Sequence, residues 1–200
     1  MRIAFVTATF PPYFGGTGNV CFHNALQIAQ RGHEVHVFTR EFQDDDYVYP
    51  TEITIHKLKA LIKVGNAALL LGLLQIQDFD LIHLHYPFIF GAELINLISK
   101  IRQIPLIITY HQDILLKGLQ DLIIKMYNHT LGSWTLRGAD LVLFTTLDYG
   151  RNSKVKWLFK DKRYKISSLP NGTYSHHFHP DLPRKCIRER HLIPSEKTVL

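Results

Sequence analysis

Cysteine is scarce in this chain: Cys21 and Cys186 stand far apart and neither belongs to a CxxC pair. A disulfide framework and a cysteine-ligated zinc site are thereby excluded, and a reducing compartment fits. Long apolar runs are lacking too. The longest, Ala67 to Leu74, is far below the roughly 20 residues that span a bilayer, so no transmembrane helix is predicted. The opening MRIAFVTATFPP holds one cation and an apolar stretch that soon meets Thr7, Pro11 and Pro12. It is too short and too polar for a signal peptide and is expected to be a strand. No segment is low in complexity and no period recurs, which removes disordered, collagenous and solenoid readings. A GxSxG elbow is missing, and with it the commonest sequence sign of a serine hydrolase.

What remains is material for one packed core. The 200 residues are 46% hydrophobic and 12% aromatic, enough to bury a single substantial core and too little for two. The net charge of +6 favours anionic partners: nucleotide diphosphates, acidic lipid surfaces or nucleic acid.

Apolar strands alternate with helical patterns along most of the chain. Residues 2–8 read as a strand, a Pro/Gly loop runs from Phe10 to Gly18, and Val20, Cys21, Ala25, Ile28 and Ala29 follow at helical spacing. Gly32 stands where a left-handed residue ends a helix, and Val35 to Thr39 forms the next strand. Further strands are predicted at 53–58, 80–85, 106–111, 139–146 and 164–172, and helices at 60–76, 91–102, 117–137 and 148–159. Continuous apolar strands separated by helices predict a doubly wound α/β fold, a parallel Rossmann-like sheet covered on both faces. The expected domain spans residues 1–172. A polar, proline-punctuated connector follows at 173–195, and residues 196–200 begin a strand of a further domain cut off at Leu200.

Ligands of open parallel sheets bind beyond the carboxyl ends of the strands, which directs attention to four strand exits: Phe10 to Gly18, His83 to Tyr86, Tyr110 to Asp113, and Thr145 to Asp148. In the first, Gly15, Gly16 and Gly18 precede a helix, so bare backbone amides could meet a phosphate. The loop satisfies neither the GxGxxG fingerprint, since Cys21 stands at the third glycine, nor a P-loop; a purely structural glycine turn fits the same composition. His83 and His85 share one strand face. Without a third ligand at fixed spacing they read as hydrogen-bonded crevice walls, and no metal site is expected. His111, with Asp113 after it, could donate to or orient a substrate hydroxyl, or merely close the strand. His176, His177 and His179 fall in the connector and read as solvated.

Two basic stretches stand out. Arg151, Lys154, Lys156, Lys160, Lys162, Arg163 and Lys165 are interleaved with Trp157, Phe159 and Tyr164, a mixture suited to nucleic acid, a membrane surface or a solvated helix face. Lys57, Lys59 and Lys63 lead into a Leu-rich run that reads as a buried crossover helix or as a rest for anionic lipid.

Taken in order, FPPYFGGTGNV, ALQIAQRGHEVHVFT, FDLIHLH, PLIITYHQD, ADLVLFTT and LPNGTYSHHFHP resemble the retaining GT-B glycosyltransferases of family four, also called group one, over nearly the whole chain. The resemblance implies the N-terminal, acceptor-side half of a GT-B two-domain fold. It further implies transfer of a hexosyl unit from a nucleotide sugar to a lipid-linked or saccharide acceptor, with retention, without metal or other cofactor, and with most donor contacts in the other half. By that pattern Gly15 and Gly16 approach the donor diphosphate, His111 lies beside the reacting sugar as the catalytic residue, and Asn171 and Gly172 form the turn into the linker. Tyr13, His85, Tyr110 and Asp113, at the same strand exits, are the candidate acceptor contacts. Thr17, Gly18 and Asn19 depart from the family, which often has an acidic residue there. The implied setting is cytoplasmic, with peripheral contact to the inner membrane face, no nucleic acid partner, and no activity from residues 1–200 alone. Same-architecture epimerases or phosphorylases are the enzymatic alternatives, and a noncatalytic polyanion- or membrane-binding module is the alternative of another class.

Overall fold

A computed structural model describes residues 1–13, 15–42, 47–173, 185–194 and 197. They fall into two compact units, Met1–Pro170 and Asn171–Leu200.

The first unit is built on a seven-stranded sheet whose strands all pair in parallel: β1 (Arg2–Thr7), β2 (Glu34–Arg40), β3 (Ile53–Leu58), β6 (Leu81–Tyr86), β7 (Leu106–Tyr110), β8 (Leu141–Phe144) and β9 (Ile166–Ser168), in the order β3-β2-β1-β6-β7-β8-β9. Chain order therefore reverses between β1 and β6, the point at which an open α/β sheet leaves a crevice. The predicted Rossmann-like fold is present.

Two cores flank this sheet. On one face Cys21 and Ala25 of α1 (Gly16–Ala29) pack on Ile3, Phe5, Val35, Val37 and Ile53. On the other, Ala92, Ile95 and Ile98 of α2 (Gly91–Arg102), with Leu73 and Leu158, cover Ala4, Val6, Leu84, Ile108 and Phe144. Such period-two division of each strand is what a sheet buried on both faces requires. Coverage is incomplete over β7 and β8, where Ile107, Leu141 and Leu143 on the α1 face are only half-buried. Gly32 takes φ +88 just beyond α1, as its place in the sequence predicts.

Three predicted helices are built differently. Residues 60–76 form an antiparallel hairpin, β4 (Ile62–Val64) with β5 (Ala67–Leu69), and a 3-10 turn at Leu71–Gln75. Apolar content suggested a helix, but Gly65 turns the chain at φ +60 ahead of Asn66, and a Gly-Asn pair between β-branched and apolar residues is a hairpin signal. Residues 117–137 divide into α3 (Leu119–Tyr127), a π turn at Asn128–Gly132 and α4 (Ser133–Gly138). The segment at 148–159 becomes α5 (Leu147–Asn152) and a 3-10 turn at Lys156–Lys160. They are separated at Ser153, whose hydroxyl donates to the Gly150 carbonyl at 2.8 Å.

In the second unit, α6 (Lys185–Arg190) precedes a turn in which the Arg188 guanidinium donates to the carbonyls of Pro194 and Lys197 at 2.8 and 2.9 Å. The histidine group at 176–179 and the strand expected from Thr198 lie outside the described residues.

Candidate functional site

The loop after β1 turns back on the sheet before α1 starts. Its Phe10 is fully buried, and the amide of Tyr13 donates to the Phe10 carbonyl at 3.0 Å. Gly15 is the N-cap of α1 in extended conformation. Gly15 has no side chain with which to cap the helix, and the first turn holds no acidic residue, so among the described residues no side chain engages its leading amides at the positive helix end. The three glycines differ in what surrounds them. A Cβ on Gly16 would meet nothing within 4 Å, whereas one on Gly18 would stand 2.6 Å from the Thr9 carbonyl oxygen. Gly18 thus serves the close packing of α1 on the loop, and Gly16 has no packing need to be glycine. At Gly15 the nearest atoms to a Cβ would be those of the Tyr13 ring, at 3.2 Å. Tyr13 itself is exposed and stacks on Phe42 at 5.1 Å.

Across the β1/β6 switch point lies a column of imidazoles. His83 and His85 alternate on β6 toward the face that carries Phe5, with His83 4.9 Å from the Phe5 ring. His83 Nε2 lies 2.7 Å from Thr109 Oγ1, and His85 Nδ1 lies 2.8 Å from His111 Nε2. The rings of His85 and His111 lie within 19° of parallel with centroids 5.0 Å apart, so they meet edge to edge through these nitrogens. The amide of His111 extends the ladder by donating to the Tyr86 carbonyl at 3.0 Å, so a histidine just past β7 is held as firmly as one inside it. Burial disfavours the charged ring throughout the column: it lowers His83 and His111 to about 4 and His85 well below its usual range, with neighbouring imidazoles adding to the effect at His83 and His85. All three are neutral at pH 7.

Gly16 and His111 therefore sit at the same carboxyl edge of one parallel sheet, beyond β1 and β7, with only β6 between those strands. The other candidate contacts are arranged less openly. His85 has no exposed surface. Tyr110 is buried against Tyr86 and Phe144, and its hydroxyl donates to Asp113 Oδ1 at 2.6 Å. Asp113 also accepts from the Lys154 amide at 3.1 Å, and its own amide donates to the Tyr149 hydroxyl at 2.8 Å. Tyr110 and Asp113 thus fasten the loop after β7 to the region following α5. At the fourth strand exit Thr146 caps α5, accepting from the Tyr149 amide at 3.1 Å.

Sequence reasoning missed two features. Thr109 holds His83, and period-two alternation through LIITYH, which puts Thr109 and His111 on one face, is the signal that would have found it. The apolar ledge beyond His111 was also missed: Leu115, Leu116 and Leu119 are 71%, 43% and 74% exposed. Of the basic stretches, 151–165 turns its aromatics inward, with Phe159 5.4 Å from Phe144 and Trp157 and Tyr164 packed at the core margin. Its cations are exposed, with Arg151 over the Phe159 ring and Arg163 paired with Asp161, and the inward aromatics leave no open stacking platform among the described residues. In the stretch from Lys57 the hairpin leaves Leu61, Ile62 and Val64 exposed beside Lys59 and Lys63. Among the described residues no group of three or more His, Cys, Asp or Glu could hold a metal ion, and no helix is long and apolar enough to cross a membrane.

An α/β domain with a parallel sheet whose strand order reverses at β1/β6, and with a glycine-led helix and a histidine column at that point, is a Rossmann-like domain. Residues 14–183 match the model of Glycosyltransferase Family 4, and the chain belongs to that family. Anabaena HepE in complex with UDP superposes with a TM-score of 0.56 at 15% identity, over 96% of this chain and 50% of that one. Phytolacca americana UGT2 complexed with UDP-2fluoro-glucose and pterostilbene gives 0.54 at 12% identity, over 88% and 56%. At these identities the likeness concerns the fold, and the chain spans about half the length of these structures. Comparison with curated proteins gives no significant match.

Proposed function

We propose that this chain is the acceptor-side half of a retaining glycosyltransferase that takes a hexosyl unit from a nucleotide sugar. The observation that carries the reading is the placing of the glycine-led start of α1, at Gly15 and Gly16, and of His111 at the same carboxyl edge of one sheet. Negative charge grows on a departing nucleoside diphosphate during glycosyl transfer, and pre-aimed amides at a positive helix end stabilise it without reorganising. Neutral His111, beside the sugar, supplies a hydrogen bond to its hydroxyls. The complexes of HepE with UDP and with UDP-glucose support a uridine nucleotide sugar as donor.

A lipid-linked acceptor fits better than a free saccharide because the ledge of Leu115, Leu116 and Leu119 begins four residues beyond His111. Apolar surface of this kind beside a polar site suits a substrate whose sugar is attached to a hydrocarbon carrier. Tyr13 is the accessible aromatic on the opposite side of the switch point. The reading places the protein on the cytoplasmic side of a membrane, needs neither metal nor organic cofactor, and leaves residues 1–200 folded but inactive on their own.

The test is a transfer assay with radiolabelled nucleotide sugars, run on the complete enzyme in the presence of chelator. Retained anomeric configuration in the product and loss of turnover by about a hundredfold in His111→Ala, with the fold intact, are expected. Unchanged turnover in that variant would reduce His111 to scaffolding, and robust transfer by the 200-residue chain alone would refute the division of labour.

A further inference from the structure

One fully buried nitrogen of the histidine column has no hydrogen bond among the described residues. His85 is 0% exposed, its Nδ1 faces His111 Nε2 at 2.8 Å, and its Nε2 is buried with no hydrogen bond. Burial keeps both rings neutral, so each carries one proton and only two arrangements place a proton between them. If His111 donates from Nε2, the proton of His85 must sit on Nε2, an N–H sealed from water with no acceptor. If His85 donates from Nδ1, its Nε2 is a bare lone pair. Orphaned buried N–H groups are rarer than acceptors left short of a partner. The second arrangement is therefore the stable one.

We infer that His85 is a positioning residue for His111: by donating from Nδ1 it fixes His111 in the tautomer that carries its proton on Nδ1. No hydrogen bond among the described residues occupies that Nδ1. His111 then offers substrate a donor and has no free lone pair with which to take a proton. Its part in transfer is to bind and orient an oxygen, and general-base chemistry is closed to it. The functional half of this inference rests on the glycosyltransferase reading above; the tautomer does not.

The two halves can be separated experimentally. Two-bond proton–nitrogen correlation spectra of the 15N-labelled chain at pH 7 are expected to show His111 with a protonated Nδ1 and an unprotonated Nε2. The opposite pattern overturns the inference outright. In His85→Leu the His111 proton is expected to return to Nε2, the preference of free histidine, and turnover of the complete enzyme to fall about tenfold, the worth of one hydrogen bond. His85→Asn puts an amide N–H where Nδ1 stood and should restore both readouts; its failure to do so would remove the donor role even if the leucine variant does not fold. Should the tautomer shift in His85→Leu while turnover holds, the positioning of His111 stands and its place at the reacting sugar is what fails.

Discussion

Gly18 is seated directly against the backbone of Thr9, where a Cβ would approach the carbonyl oxygen to 2.6 Å and the carbonyl carbon to 2.8 Å. Two residues earlier, Gly16 faces open space. Glycines of one loop therefore answer to different demands, and two substitutions separate them. Gly18→Ala is expected to destabilise by about 1–3 kcal/mol, because the contact is with backbone that cannot step aside. Gly16→Val should leave the denaturant midpoint nearly unchanged yet raise the KM for nucleotide sugar in the complete enzyme, since its side chain would occupy the space over the helix amides. Equal stability loss in both variants, or unaltered donor kinetics in Gly16→Val, would remove the phosphate role of Gly16.

The histidine column makes a second prediction, about acid. Burial lowers His83 from the usual 6.5 to about 4, and His111 to the same value. The unfolded chain takes up these protons first as pH falls. Stability is thus fully present above about pH 6.5 and declines as pH drops from there to about 4. His83 alone, buried and bonded to Thr109, contributes on the order of 3 kcal/mol to that decline. Urea unfolding at pH 7 and pH 5 measures the slope. His83→Gln, whose amide can still reach Thr109 but does not titrate, should flatten it, and an unchanged slope would assign the acid sensitivity elsewhere.

Much of this arrangement was legible in the residues themselves. Continuous apolar strands such as LIHLHY and LIITY announce a buried parallel sheet, and parallel strands put every strand exit at one edge, so Gly16 and His111 could be paired from order alone. What stayed hidden depended on through-space contacts. Period-two alternation put His83 and His85 on one face but could not reveal that Phe5 buries them. Tyr110 and Asp113 looked like free polar groups because the Lys154 amide that engages Asp113 lies 41 residues away. In 60–76, strong apolar content masked a two-residue turn at Gly65 and Asn66, a case in which local turn chemistry overrode helical spacing.

The hairpin itself carries the last prediction. Leu61, Ile62 and Val64 are 65%, 51% and 69% exposed, and residues 53–77 contain Lys57, Lys59 and Lys63 but no acidic side chain. The hairpin is held in place, because the Arg40 guanidinium donates to the Gly65 carbonyl at 3.0 Å and the Ala68 amide to that of Ile89 at 3.2 Å. A fixed apolar edge flanked by cations matches the surface of a membrane rich in acidic phospholipid, where each lysine contributes about 1 kcal/mol. The chain should co-sediment with vesicles containing acidic phospholipid and be released by salt, which screens such attraction beyond about 10 Å at 0.1 M. Replacing the three lysines by glutamine should weaken binding by about a hundredfold, the equivalent of roughly 3 kcal/mol. Serine at Leu61, Ile62 and Val64 should weaken it independently, because apolar insertion and charge attraction contribute separately to interfacial binding. Equal affinity for neutral vesicles, or binding indifferent to both sets of substitutions, would rule out this hairpin as the membrane contact.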